Sequence, residues 1–344
     1  MSASAQFLNP AAAARRLGIS TKALRLYEQR GLITPVRTTA GWRTYGPAEM
    51  ARAAEIVDLR ALGLSLAQVG RVLDGDPQSL EPALAAHQAT LEGQARQLGE
   101  TVEKVRTLRA ELAQGQAPDA GVLGRMVRSN GEISVAFDLP WPWGGERFEL
   151  SDIRPLNYIL GPLGCGKTVL SMKIAEVLPD AAYIGLERLD EDGAEAHRRL
   201  DNDPAMKSRV DQTVAWLVED GATESPALIA LLVALETEEA AVLVVDMVEQ
   251  GLDHATQEAL IAHLRHHARR ARPIMMMTRS CAILDLDAVG PDEAIILCPA
   301  NHSPPTLVAP YPGAPGYESV ATCLASPEVR ARTEGLISWR PEQA

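Results

Sequence analysis

Apolar residues along this chain change their period three times, and each change marks a different kind of element. Up to about residue 75 they recur at three- and four-residue intervals in short blocks, which is helical spacing. Asn9 and Pro10 open the first block, residues 11–17, with a capping side chain followed by proline in the first turn. Gly18 breaks it, Ser20 caps a second helix over 21–30, and Gly31 ends that one. Two short helices about a glycine-containing turn predict a helix-turn-helix. Residues 32–37 and 41–45 then read as a hairpin, or wing, and two further helices are expected over 48–62 and 65–73.

From Gln78 the interval becomes seven. Leu84, Leu91, Leu98, Val105 and Leu112 stand one heptad apart in a segment rich in Gln, Glu and Arg, which predicts a long helix with one apolar stripe. His87, Gln88, Gln94 and Thr101 are too polar for a helix buried on its own chain, so the stripe is expected to meet a second copy. Gly115 to Gly124, with Pro118, reads as a linker. Beyond it, alternating segments at 132–137 and 146–150 predict paired strands. Continuous apolar runs at 158–160, 241–245, 273–278 and 293–298 predict buried strands of a mostly parallel sheet. The methionines of the third run, 275–277, read as core filling. The chain thus divides into an all-α winged helix-turn-helix head (1–76), a coiled-coil dimerisation helix (77–115), a linker (116–129) and an α/β domain (130–344).

Composition refines this picture. A length of 344 residues, 46% hydrophobic and 23% charged, fits a globular chain of two or three domains. No apolar run reaches membrane-spanning length, and the first nine residues lack a basic, apolar leader. A cytoplasmic, nucleoid-associated protein with no membrane partner is expected. Cys165, Cys281, Cys298 and Cys323 are scattered without a C-x-x-C pair, which argues against zinc and fits a reducing compartment. The net charge of −12 alone would argue against nucleic acid. Residues 1–75, however, hold ten Lys/Arg against five Asp/Glu, and a basic head on an acidic body is the asymmetry expected when only the head meets phosphate.

Candidate chemistry centres on Gly161-Pro162-Leu163-Gly164-Cys165-Gly166-Lys167-Thr168, a G-x-x-x-x-G-K-T loop entered from an apolar strand and left through an amphipathic helix. Glycines turn backbone N–H groups toward an anion, and the helix N-terminus adds partial positive charge. Lys167 would reach the terminal phosphates, Thr168 would ligate Mg²⁺, and Asp246, closing the strand at 241–246, would polarise the metal's shell. The expected nucleotide site is Gly161, Gly164, Cys165, Gly166, Lys167, Thr168, Val169, Asp246 and Arg279, with ATP and Mg²⁺ as cofactors and Thr168 and Asp246 as metal ligands. His254, His263, His266 and His267 fall on one helix with no accompanying acidic ligand pattern, and read as surface or structural residues.

Three blocks in the head carry a family resemblance: residues 20–35 (STKALRLYEQRGLITP), 41–45 (GWRTY) and 60–66 (RALGLSL). Together they resemble MerR-type transcription regulators over about residues 8–75. The resemblance implies that Lys22, Arg25, Tyr27, Arg43 and Tyr45 face DNA. It also implies dimerisation through an antiparallel pair of long helices, and distortion of promoter DNA, with RNA polymerase a further partner. Leu26 departs from the pattern, standing where the family commonly has a second aromatic.

The order from paired strands through GPLGCGKT to Asp246 and Gly251-Leu252-Asp253 resembles an ABC-type ATPase domain over about 130–300. Met247 stands where that family has its catalytic glutamate, leaving Glu249, two residues on, as the candidate catalytic carboxylate. Arg279 replaces the usual histidine, and residues 221–226 (GATESP) replace L-S-G-G-Q, keeping only a capped helix start. These departures put a transporter-like power stroke in doubt. The expected function is a homodimeric DNA-binding regulator on which Mg·ATP acts as an allosteric ligand, with slow hydrolysis at best. A DNA-tethered ATPase using Glu249 is the alternative, and a nucleoid protein whose heads polymerise with ATP is a weaker third.

Overall fold

The computed structural model describes residues 7–113, 133–236, 240–267 and 272–326. The expected linker lies outside the described residues.

The head begins with helix α1 (Pro10–Leu17) and helix α2 (Thr21–Gln29). Asn9 Oδ1 accepts the Ala12 N–H at 2.9 Å and Ser20 Oγ that of Ala23 at 3.1 Å, so both helix starts are capped by the side chains the sequence offered. Gly18 closes α1 at φ +69°, a left-handed conformation that only glycine adopts without cost. Strands β1 (Val36–Arg37) and β2 (Arg43–Thr44) pair antiparallel as the wing. Helices α3 (Pro47–Ala61) and α4 (Leu66–Leu73) complete a core around Ala13, Leu24, Ile33, Tyr45, Ile56 and Val69. Helix α5 (Leu80–Ala113) follows, 34 residues long and so about 50 Å. Leu84, Leu91 and Val105 of its heptad stripe are about half exposed.

In the body, β3 (Ile133–Asp138) and β4 (Arg147–Ile153) form an antiparallel pair. The main sheet comprises β5 (Leu156–Leu160), β6 (Ala181–Ile184), β7 (Val242–Val245), β8 (Ile274–Met277), β9 (Glu293–Leu297) and β10 (Thr306–Leu307). Their order is β10-β9-β5-β8-β7-β6, and only the β10 edge is antiparallel. Parallel strands are covered on both faces, which is why they read as unbroken apolar runs. The methionines show the alternation: Met276 packs on one face, Met275 and Met277 on the other, and all are buried. One face carries helices α8 (Pro204–Glu219), α9 (Pro226–Leu235) and α10 (His254–His267), and the other carries α6 (Lys167–Val177) and the β3–β4 pair. Helix α7 (Ala194–Asn202) precedes α8. Ser225 Oγ accepts the Leu228 N–H, the capped start expected at 221–226. Among the described residues no helix is long and apolar enough to cross a membrane.

Head and body meet through polar contacts at the end of α8. Arg60 donates from both terminal guanidinium nitrogens to the Asp220 carboxylate, each at 2.9 Å. The same carboxylate accepts the first N–H of α4, Leu66, at 2.6 Å, an anion at a helix N-terminus. Trp216 donates its indole N–H to Gly63 O at 2.9 Å and lies under the Arg60 guanidinium, 5.2 Å from the ring centre. Glu219 accepts from Ser65 Oγ at 2.6 Å and from Arg71 at 3.1 Å.

Candidate functional site

The carboxyl ends of β5, β7 and β8 bring three loops to one crevice, where open α/β sheets place their ligands. The glycines of the first loop are dictated by space. A Cβ on Gly161 would lie 2.3 Å from Cys298 O and 2.6 Å from Cys165 Sγ, and one on Gly166 would strike the Trp143 ring at 2.6 Å. The resulting cleft, about 550 Å³, is lined by Gly164, Gly166, Lys167, Thr168, Val169, Asp246 and Arg279, with Trp141 and Met247 among its other walls. Seven of the residues expected to hold nucleotide therefore converge. Gly161 and Cys165 are not among the lining residues: they support the loop from behind.

Lys167 Nζ donates to Gly161 O and Pro162 O, each at 2.9 Å. These neutral acceptors are ones an anionic phosphate would outcompete. Asp246 Oδ2 accepts from the Tyr183 hydroxyl at 3.0 Å. Burial pushes the Asp246 carboxyl above the ordinary carboxylate value, opposed by that hydrogen bond and by Arg188. An ionised carboxylate held at that cost is a donor a divalent cation would relieve. Arg188 also bonds Asp246 O at 2.9 Å and Met247 O at 2.8 Å, fixing the turn in which Met247 adopts φ +43°. Cys165 is pulled below the usual thiol range by a hydrogen bond from Cys298 and by the Lys167 charge, while Cys298 is raised. The donor set fits a nucleoside triphosphate with its magnesium ion.

Glu249, the expected catalytic carboxylate, is placed differently. It is buried, its Oε1 accepts the Arg279 N–H at 2.9 Å, and it is absent from the cleft lining. Sequence reasoning missed Trp141, Tyr183 and Arg188. Trp141 is 80% exposed beside the loop, and the W-P-W run between β3 and β4 was its only signal.

In the head, Arg25 is exposed on α2. Lys22 is ion-paired to Glu258 of α10 at 2.7 Å. Arg43 pairs with Glu28 at 2.9 Å, and the Tyr45 hydroxyl donates to the same carboxylate. Two expectations need correction. Tyr27 and Tyr45 are buried in the head's core: their rings fill space beneath the recognition helix and the wing instead of facing outward. Trp42, 75% exposed at the wing's turn, is an outward aromatic the sequence reading passed over. Among the histidines, His254 bonds Glu258 and His263 packs edge-on against Trp216. No cluster of potential metal ligands is found among the described residues.

The profile of the MerR HTH family of regulatory proteins matches residues 8–76. A probable heavy metal-dependent transcriptional regulator of Haemophilus influenzae is 38% identical over 105 residues, spanning 28% of this chain and 82% of its own. The chain belongs to the MerR family. A second MerR-type relative, the HTH-type transcriptional regulator HmrR of Sinorhizobium medicae, is 30% identical over 131 residues, 36% of this chain and 89% of its own. Among solved structures, an ATP-binding cassette of an ABC transporter in its ADP conformation gives a TM-score of 0.38 at 14% identity, over 59% of this chain and 99% of that one. A promoter-bound MerR family regulator lacking the sensor domain gives 0.23 at 25% identity, over 36% and 96%. Neither structural likeness bears on function. The α/β body of this MerR-family protein extends well past the part its regulator relatives cover.

Proposed function

We propose that the protein is a homodimeric, promoter-binding transcription regulator of the cytoplasm whose body binds Mg·ATP as an allosteric ligand. The observation that carries this reading is the composition of the cleft. Phosphate-binding backbone, Lys167, Thr168 and Asp246 line it together, while among the described residues Asp246 is its only lining carboxylate, beside the polar side chains of Gln250 and His302. Binding needs only the former; fast in-line attack by water also needs a base, and the lining holds no second carboxylate to serve as one, though Gln250 could orient water. Lys167 would hold the terminal phosphates, Thr168 and Asp246 the magnesium ion, and the exposed face of Trp141 the base. The half-exposed stripe of α5 would seal on a second copy, giving two heads for two half-sites, with Lys22, Arg25 and Arg43 toward DNA.

The alternative, a DNA-tethered ATPase, draws on Glu249, whose charge is felt at Asp246. Phosphate release by wild type and Glu249→Gln, with and without duplex DNA, separates the two. Nucleotide binding with turnover well below about 1 per second is expected. Turnover at or above that rate, lost in Glu249→Gln, would establish the enzyme instead.

A further inference from the structure

We infer that α10 of the body, through Glu258, occupies the Lys22 side of the recognition helix α2, so that body and duplex compete for it. This rests on the reading of the head as a DNA-binding module, and adds what holds that module when DNA is absent.

A recognition helix reads base edges with residues near its N-terminus. Three sides of α2 are distinguishable. Leu24 and Tyr27 enter the core, and Thr21, Arg25 and Gln29 stay exposed. Lys22, Ala23, Leu26 and Arg30 line a cleft of about 140 Å³ whose other wall includes Ala255, Glu258, Ala259 and Ala262 of α10. Lys22, a base- or phosphate-reaching cation at the helix start, already holds a carboxylate at 2.7 Å. Arg30, at the far end, donates to Asp220 O at 2.9 Å. Cations at both ends of the helix are thus engaged by the body.

Space argues the same way. A major groove is about 12 Å wide and admits one helix of roughly 10–12 Å. Helix α10, which walls the cleft on the Lys22 side of α2, does not enter with it. Leu26 makes the arrangement chemically consistent. At this position an apolar side chain facing α10 across the cleft loses nothing, whereas toward DNA phosphate it contributes no hydrogen bond.

The test is fluorescence anisotropy of the full chain, without nucleotide and at one fixed low salt concentration, on a random-sequence 30-base-pair duplex. Glu219→Gln/Glu258→Gln, the masking pair, removes the carboxylate charge held on Lys22 of α2 together with the one that ties α4 to the body. Glu195→Gln/Glu318→Gln removes two charges from exposed sites elsewhere and controls for net charge. Deuterium exchange over residues 20–30 of the free proteins, together with unchanged circular dichroism, reports undocking without unfolding. The expected result is duplex affinity raised about fivefold in the masking pair only, with faster exchange along α2. If wild type binds duplex and the masking pair binds no more tightly than the control pair, the mask is refuted and the DNA-binding head stands. If none of the proteins binds duplex even at low salt, while α2 exchange rises in the masking pair, the DNA-binding reading fails and the inference goes with it.

Discussion

Replacing Asp220 by alanine tests the contact on which the relation of head to body depends. The side chain is 2% exposed and accepts three hydrogen bonds: two from Arg60 and one from the Leu66 N–H. Breaking a buried ion pair by removing one partner costs about 3–5 kcal/mol. The lower end applies, because Arg60 keeps a bond to Leu64 O at 2.9 Å and its place over Trp216. A loss of about 3 kcal/mol is a shift of roughly 150-fold in a docking equilibrium. The protein's cheapest response is to let the head swing away, so that water solvates Arg60 and the start of α4. The assay is hydrogen exchange of the full chain, read in peptides covering 60–70 and 214–222. Exchange should accelerate by about two orders of magnitude in both while the sheet strands keep their protection. Should both peptides exchange as in wild type, the Arg60–Asp220 clasp does not hold the head.

Other outcomes follow from the cleft and from α5. Asp246→Asn should raise the thermal stability of the nucleotide-free protein and abolish Mg²⁺-dependent nucleotide binding, because burial raises this carboxyl's pKa. By the same linkage, ionised Asp246 works against folding: its stabilising share is present below the unfolded carboxylate pKa and is lost as pH rises through the elevated native value. Mg²⁺-dependent binding of a fluorescent ATP analogue should accordingly weaken, on acidification, at a pH above the ordinary carboxylate value. Trp141→Ala should weaken binding of that analogue by roughly 5- to 150-fold, the range of base–aromatic stacking, and leave inorganic triphosphate binding unchanged in calorimetry. Leu91→Glu, on the 51% exposed stripe position, should convert a dimer to monomer in sedimentation experiments without changing helix content.

Much of this was legible in the chain because the chemistry was local. The helix starts at Asn9, Ser20 and Ser225 follow from side chains that bond the next turn, and the glycine loop follows from backbone space that no other residue fits. Tyr27 and Tyr45 were misjudged because an amphipathic ring suits either a core or a phosphate, and only tertiary packing decides between them. Glu249 illustrates the opposite limit. Its spacing from Asp246 is compatible with reaching the cleft, but its carboxylate answers a backbone N–H on another strand's loop, 30 residues away. The clasp was illegible for the same reason: Arg60 and Asp220 are 160 residues apart, and nothing in a surface-like Glu-Asp pair after a helix announces a partner in another domain.

On the proposed reading, Glu249's position also suits this body to regulation. By holding the Arg279 N–H, it ties the end of the Asp246 strand to the loop after β8. The next residue, Ser280, donates to Gln257 Oε1 at 2.6 Å, and Gln257 Nε2 reaches back to Leu252 O at 2.7 Å. Gln257 is the neighbour of Glu258, which holds Lys22. One residue earlier, Thr256 is capped by Asp253 and accepts the Thr223 N–H at 2.8 Å, three residues past the Asp220 clasp. Both points at which the body grips the head thus lead back to the first turn of α10. That turn is bonded to the two loops carrying the cleft's Asp246 and Arg279. A ligand with different affinity for two settings of those loops biases the grip on the head, and by reciprocity DNA biases the cleft. On the proposed reading, the contact that holds Glu249 to the Arg279 N–H, outside the cleft lining, is also the one that supplies the coupling.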